Sequence, residues 1–205
     1  MPDIIMGICH ICFRKYAGIM GEYLMEVDVS NTFVDFINST FSTDAVSRIR
    51  RNHGLEHATL HVLAQKYPKM SMAGHSNATG FWLLGEVPSE AVREAVDEAL
   101  QRMKDGEENL AVHPNCGTNF VAAGTVAGIA GAAAMFGVGK RFRDKLERLP
   151  LAMSLATLGL ILAQPLGRVI QERVTTCGEP GTLEVEKIIP SRRGRIQAHR
   201  IITRG

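Results

Sequence analysis

The stretch NFVAAGTVAGIAGAAAMFGVG (119–139), KRFRDKLER (140–148), LPLAMSLATLGLILAQPLG (149–167) decides the architecture of this 205-residue chain. No Asp, Glu, Lys or Arg occurs from Leu110 to Gly139, nor from Leu149 to Gly167. About 20 such residues in a helix reach across the hydrocarbon core of a bilayer. Two of these runs flanking one short basic loop predict a transmembrane helical hairpin, with helices at about 119–139 and 149–167. Gly124 and Gly128 stand at small-xxx-small spacing, which lets helices of one chain or of two copies approach closely. Composition leaves a pair of buried core helices as the alternative, because the first run is rich in Ala and Gly.

Outward from the hairpin, the pattern changes to that of a water-soluble α+β module. STDAVSRIRRNHGLEHATLHVLAQKYP opens on capping residues (Ser42, Thr43, Asp44) and closes at Pro68, which predicts one helix over about 44–66. MSMAGHS and GFWLLGEV read as strands joined by a turn at SNATG. PSEAVREAVDEALQRMKDG carries Val92, Ala95, Val96, Ala99, Leu100 and Met103 on one helical face, with Pro88 and Ser89 at its start and Gly106 at its end. Beyond the second run, TLEVEKIIPSRRGRIQAHRIITRG alternates and turns at PSRRG, a small basic β-hairpin outside the membrane. The predicted fold is therefore α+β: an N-terminal segment (1–43), a small domain with helix, β-hairpin and amphipathic helix (44–117), a membrane hairpin (118–168) and a basic tail with a β-hairpin (169–205).

The formal net charge is only +2, which argues neither for nor against a nucleic-acid partner, and no such partner is expected. The four cysteines, Cys9, Cys12, Cys116 and Cys177, do not form a small-module disulfide framework, so free thiols are expected. Cys9 and Cys12 have C-x-x-C spacing without a second pair. MPDIIMGICHICFRKY has an acid at position 3 and no basic leading region, and is not a signal peptide by pattern. The loop Lys140–Arg148 holds five basic residues, which the positive-inside rule would place in the cytoplasm. Exporting a long leading domain without a signal opposes that, and the reading adopted puts the N-terminal domain on the cytoplasmic side of a bacterial inner membrane.

RRNHGLEHATLHVL (50–63) carries the chemistry. At about 100° per residue, His53, His57 and His61 form a stripe along one helix, with Glu56 beside His53. Imidazoles at i and i+4 can share one Zn²⁺, and a carboxylate between them can take a proton from water activated by that ion. His61 lies a further turn along, too far for the same tetrahedral ion. A third ligand is expected from HPNCG, as Cys116 or His113, both suited to Zn²⁺; His75 follows them in order of preference.

The order H-x-x-E-H resembles the inverted zinc motif of the pitrilysin-like metallopeptidases. That resemblance implies His53 and His57 as metal ligands and Glu56 as general base. The third ligand of those enzymes, a Glu on a downstream helix, has no counterpart here, because this chain has by then entered its first uncharged run. RRNHGLEHATLHVL, GFWLLGEVPSEAVREAVDEALQRM and LAVHPNCGTN together resemble an uncharacterised family of bacterial membrane proteins, a resemblance that implies the architecture and no activity. Two functions follow as expectations. One is a membrane-anchored zinc metallohydrolase acting on peptide or protein; the other is a non-catalytic membrane protein whose His-rich helix holds a structural metal or packs against a partner. Glu56 separates them, since only the hydrolase requires it.

Overall fold

The structure is a computed structural model that describes residues 44–205. The Cys9–Cys12 spacing, the N-terminal segment and the capping residues Ser42 and Thr43 lie outside the described residues. In chain order the elements are α1 (Asp44–Lys66), β1 (Ala73–Asn77), β2 (Gly80–Leu84), α2 (Ser89–Lys104), a 3-10 turn (Glu108–Ala111), α3 (Gly117–Ala134), α4 (Phe142–Leu162), α5 (Gln164–Ile170), a π turn (Gln171–Thr175), β3 (Glu184–Arg193) and β4 (Ile196–Arg204). The described residues fall into two compact units, 44–112 with 176–205, and 113–175.

The first unit is an antiparallel sheet of order β1-β2-β4-β3 with α1 and α2 against one face. Register partners share a face and alternate along each strand. Phe81 and Leu83 of β2 and Ile201 of β4 point inward and are buried, where they meet Leu55, Ala58, Val62 and Leu63 of α1 and Val92, Ala95, Val96, Ala99 and Met103 of α2. The α2 contributors recur at helical spacing, which is why that amphipathic segment folds onto a sheet. Gly106, at φ +99°, ends α2 in a conformation that favours glycine. The C-terminal hairpin expected from the sequence is present, but β4 pairs with β2 from Gly80↔Ile202 to Leu84↔Ala198 and so completes the sheet of the leading domain. Its two-residue loop is Gly194-Arg195, and Pro190 lies within β3.

The second unit is built from the uncharged runs. Helix α3 is long and apolar enough to cross a membrane, and α4 together with Gln164–Thr175, bent by 45°, passes the same test as one broken span. The expected basic loop is shorter than its sequence suggests: Arg141 caps α4, and residues 142–148 form its first turns, with Asp144 near the positive helix end. Helices α3 and α4 approach where a Cβ on Gly159 would stand 3.2 Å from Ala127 Cα, and where one on Gly131 would stand 3.6 Å from Ala156 Cβ. The close packing expected at Gly124 and Gly128 is not there, since both face open space among the described residues. Gly128 lies about 100° around the helix from Ala127, while Gly124 lies about 20° from Gly131, at the edge of the packed stripe. Large apolar side chains cover the outside of this unit, with Phe120 and Val121 each 70% exposed and Phe136 90% exposed.

Candidate metal centre

Helix α1 is buried almost all round from Asn52 to Leu60, so its polar residues must find partners inside the protein. Asn52 does so by donating to Asn77 O (2.8 Å) and accepting from the Thr203 hydroxyl (2.7 Å). Gly54 is required by the neighbouring chain: Cys177 N donates to Arg50 O (3.0 Å), and a Cβ on Gly54 would collide with the Cys177 carbonyl oxygen. The helix propensity lost at this glycine is offset by that close approach.

His57 is 2% exposed, and its Nδ1 lies 2.7 Å from Ala111 O. A carbonyl only accepts, so Nδ1 carries a proton, and in the neutral imidazole Nε2 is the nitrogen able to bind a metal. A second imidazole is fixed by the adjacent carbonyl, with His61 Nε2 donating to Val112 O (2.8 Å). That bond ties His61 to the residue that follows the 3-10 turn and makes it a support of the site. The His53 and His57 rings meet edge to face, their centroids 4.4 Å apart.

His53, His57 and Cys116 form a group whose ligand atoms all lie within 4.8 Å of one another, and such a group can hold a metal ion. Two imidazoles and a thiol suit Zn²⁺, and a carbonyl bond to the far nitrogen, as His57 has, is the usual second partner of a ligating imidazole. Cys116 caps α3, and its loop is held within the second unit. His113 N donates to Gln171 Oε1 (3.0 Å), Gln171 Nε2 donates to Asn119 Oδ1 (2.6 Å), and Asn119 Nδ2 returns to Pro114 O (2.7 Å). Gly167 leaves the space that Asn119 occupies.

The remaining sequence candidates are placed differently. His113 is not in the group; its Nδ1 accepts from Asn115 N (3.2 Å). His75 is the register partner of Trp82 and points to the outer face of the sheet, away from α1. Glu56 is 4% exposed and reaches β1, where the Ser76 hydroxyl donates to its carboxylate and Gly74 provides the room it fills. Burial pushes the Glu56 carboxyl above the usual carboxylate range, against the opposing pull of the Ser76 hydrogen bond and of nearby His53 and His75. Sequence reasoning did not find Gly74, Ser76, Asn119 or Gln171, nor the two carbonyls. A backbone carbonyl has no sequence signature, whereas Asn119 stands inside the quoted HPNCGTN motif and was within reach.

The family described as Domain of unknown function (DUF6391) matches residues 48–188, from the first turns of α1 into β3. An uncharacterised protein of the cyanobacterium Picosynechococcus sp. is 37% identical over 150 residues, covering 68% of this chain and 71% of that protein. No solved structure gives a significant match.

Proposed function

The chain belongs to that family of unknown function, and from this premise we propose that it is a membrane-anchored, zinc-dependent metallohydrolase acting on peptide or protein substrates. The observation that carries the reading is the His53, His57 and Cys116 group with one imidazole already fixed in the ligating tautomer. Zinc held there supplies Lewis-acid activation of water at neutral pH. The protein's own residues supply the rest. Ala111 O orients His57, the Asn119–Gln171 bonds hold the Cys116 loop, and Glu56, next to His57 in the sequence, would take the proton from water activated there. A carboxyl with a raised pKa is better matched to proton transfer near neutrality than an ordinary Glu. The apolar surface of α3 and α4 supports the membrane anchor, and the reading places the protein in a bacterial inner membrane with its first unit in the cytoplasm. It includes self-association through the Gly124 and Gly128 face of α3.

A second reading has its own observation. The Glu56 carboxylate is packed on Gly74 and bonded to Ser76, as a structural partner would be. In that case His53, His57 and Cys116 form a non-catalytic metal site.

Zinc analysis of the detergent-purified protein and three variants separates the two. The hydrolase reading expects about one Zn²⁺ per chain, lost in His57→Ala and weakened in Cys116→Ser. Glu56→Gln keeps the metal while peptide hydrolysis falls by ~10²-fold or more. Zinc released by Glu56→Gln as readily as by His57→Ala assigns Glu56 to the structure, and metal-free wild-type protein with an ordered α1 ends both metal readings.

A further inference from the structure

The outer face of the sheet carries a pattern that the metal centre does not use. His75, Trp82, Arg200 and Ile189 form one row across all four strands, on the face opposite α1 and α2. The Arg193 guanidinium lies 4.4 Å from the Trp82 ring centroid and that of Arg200 lies 5.5 Å from it. Arg200 is held there by bonds to Asn77 Oδ1 (2.9 Å) and Thr79 Oγ1 (2.7 Å). Beside this stack the β3–β4 turn exposes Arg192, Arg193 and Arg195 together with Ile196, which is 50% exposed. From Lys187 to Gly205 there are six basic residues and no acid; of the two carboxylates that precede them in β3, Glu186 adjoins Lys187 and Glu184 is paired with Arg204 (2.8 Å) at the far end of the hairpin.

We infer that this face docks on an anionic phospholipid surface, with Trp82 and Ile196 at headgroup depth and the hairpin arginines on lipid phosphates. Tryptophan and arginine together suit the membrane–water interface, where an aromatic body needs apolar contact and guanidinium groups find bidentate phosphate partners. Charge complementarity selects an anionic surface, and anchoring by α3 and α4 would tether the chain to a bilayer. The inference thus rests on the membrane reading above. It adds a regulatory consequence: lipid charge sets whether the sheet that carries the Glu56 partners is held against the bilayer.

Trp82 is the only tryptophan, so its fluorescence reports on this face alone. The full chain is placed in nanodiscs of phosphatidylcholine, or of equimolar phosphatidylcholine and phosphatidylglycerol, and quenched with acrylamide. Protection and a blue-shifted emission are expected in the anionic discs only, and both disappear at high salt. Arg192→Gln with Arg195→Gln leaves the Trp82 stack intact, and each neutralised arginine lowers the docked-to-free ratio by ~5-fold. Equal quenching in the two lipids, or protection that survives both the double substitution and high salt, overturns the inference. So does protection by a single-stranded oligonucleotide with none from anionic lipid. Failure to enter discs at all refutes the membrane reading separately. The protein is then mixed with preformed vesicles of the same two compositions, and the same comparison of quenching decides the docking.

Discussion

At the scale of single residues, burial makes each polar group either a partner or a liability. His199 of β4 is fully buried; its Nε2 lies 3.0 Å from the Ser89 hydroxyl, and its Nδ1 has no partner among the described residues. Burial lowers its pKa below the usual 6.5. In the folded chain it therefore stays neutral at pH values where the unfolded chain takes a proton. Its contribution is intact above pH 6.5, is lost as pH falls from there toward the folded pKa, and levels off below it, with a limiting slope of ~1.4 kcal/mol per pH unit. The raised carboxyl of Glu56 acts in the opposite sense between 4.5 and its folded value, so the two are told apart only by substitution. His199→Leu should flatten the acid limb of a denaturant-derived stability curve below pH 6.5 relative to wild type. An unchanged difference between the two proteins across that range would show that His199 titrates as freely in the folded state as in the unfolded one.

Elements were legible where the signal was local. Helix α1 runs over Asp44–Lys66 as its cap and Pro68 suggest, and α2 follows its apolar face and Gly106. The meeting of His53 and His57 was legible for the same reason, since it needs only i, i+4 spacing, whereas the turn of Glu56 toward β1 was not. Pairing of β4 with β2 was not, because more than a hundred residues and both uncharged runs separate them and no residue in either strand names its partner. Nor was the turn from Gly74 and Ser76 toward Glu56, which depends on strand register rather than on composition. The consequence is testable at Ile201, fully buried and opposite Phe81. Ile201→Ala should destabilise the first unit by ~3 kcal/mol and release amide-exchange protection in β2 and α1 as well as in β4. Loss of protection confined to the C-terminal hairpin would mean that the hairpin folds as an independent tail.

For the whole molecule, the sheet limits how the chain can cross a bilayer. β2 and β4 are hydrogen-bonded neighbours, so residues 80–84 and 196–204 lie on the same side of any membrane. The segment between them must cross an even number of times. A single span by α3 alone is therefore incompatible with the fold, and the bent pair of α4 with Gln164–Thr175 has to serve as the return span if α3 crosses. The turn before α4, with Lys140 and Arg141 exposed, then faces the side opposite both termini of the segment. This sets the positive-inside tendency of that turn against the six basic residues of the C-terminal hairpin, and the reading adopted gives the cytoplasm to the hairpin and the metal centre. A cysteine introduced at Lys140 should react with a membrane-impermeant maleimide in intact cells, in a background where Cys9, Cys12, Cys116 and Cys177 are serine. One introduced at Gly194, in the β3–β4 turn, should react only after permeabilisation. The reverse pattern inverts the orientation and leaves the two crossings in place, whereas labelling of both positions from the same side would remove the membrane hairpin itself.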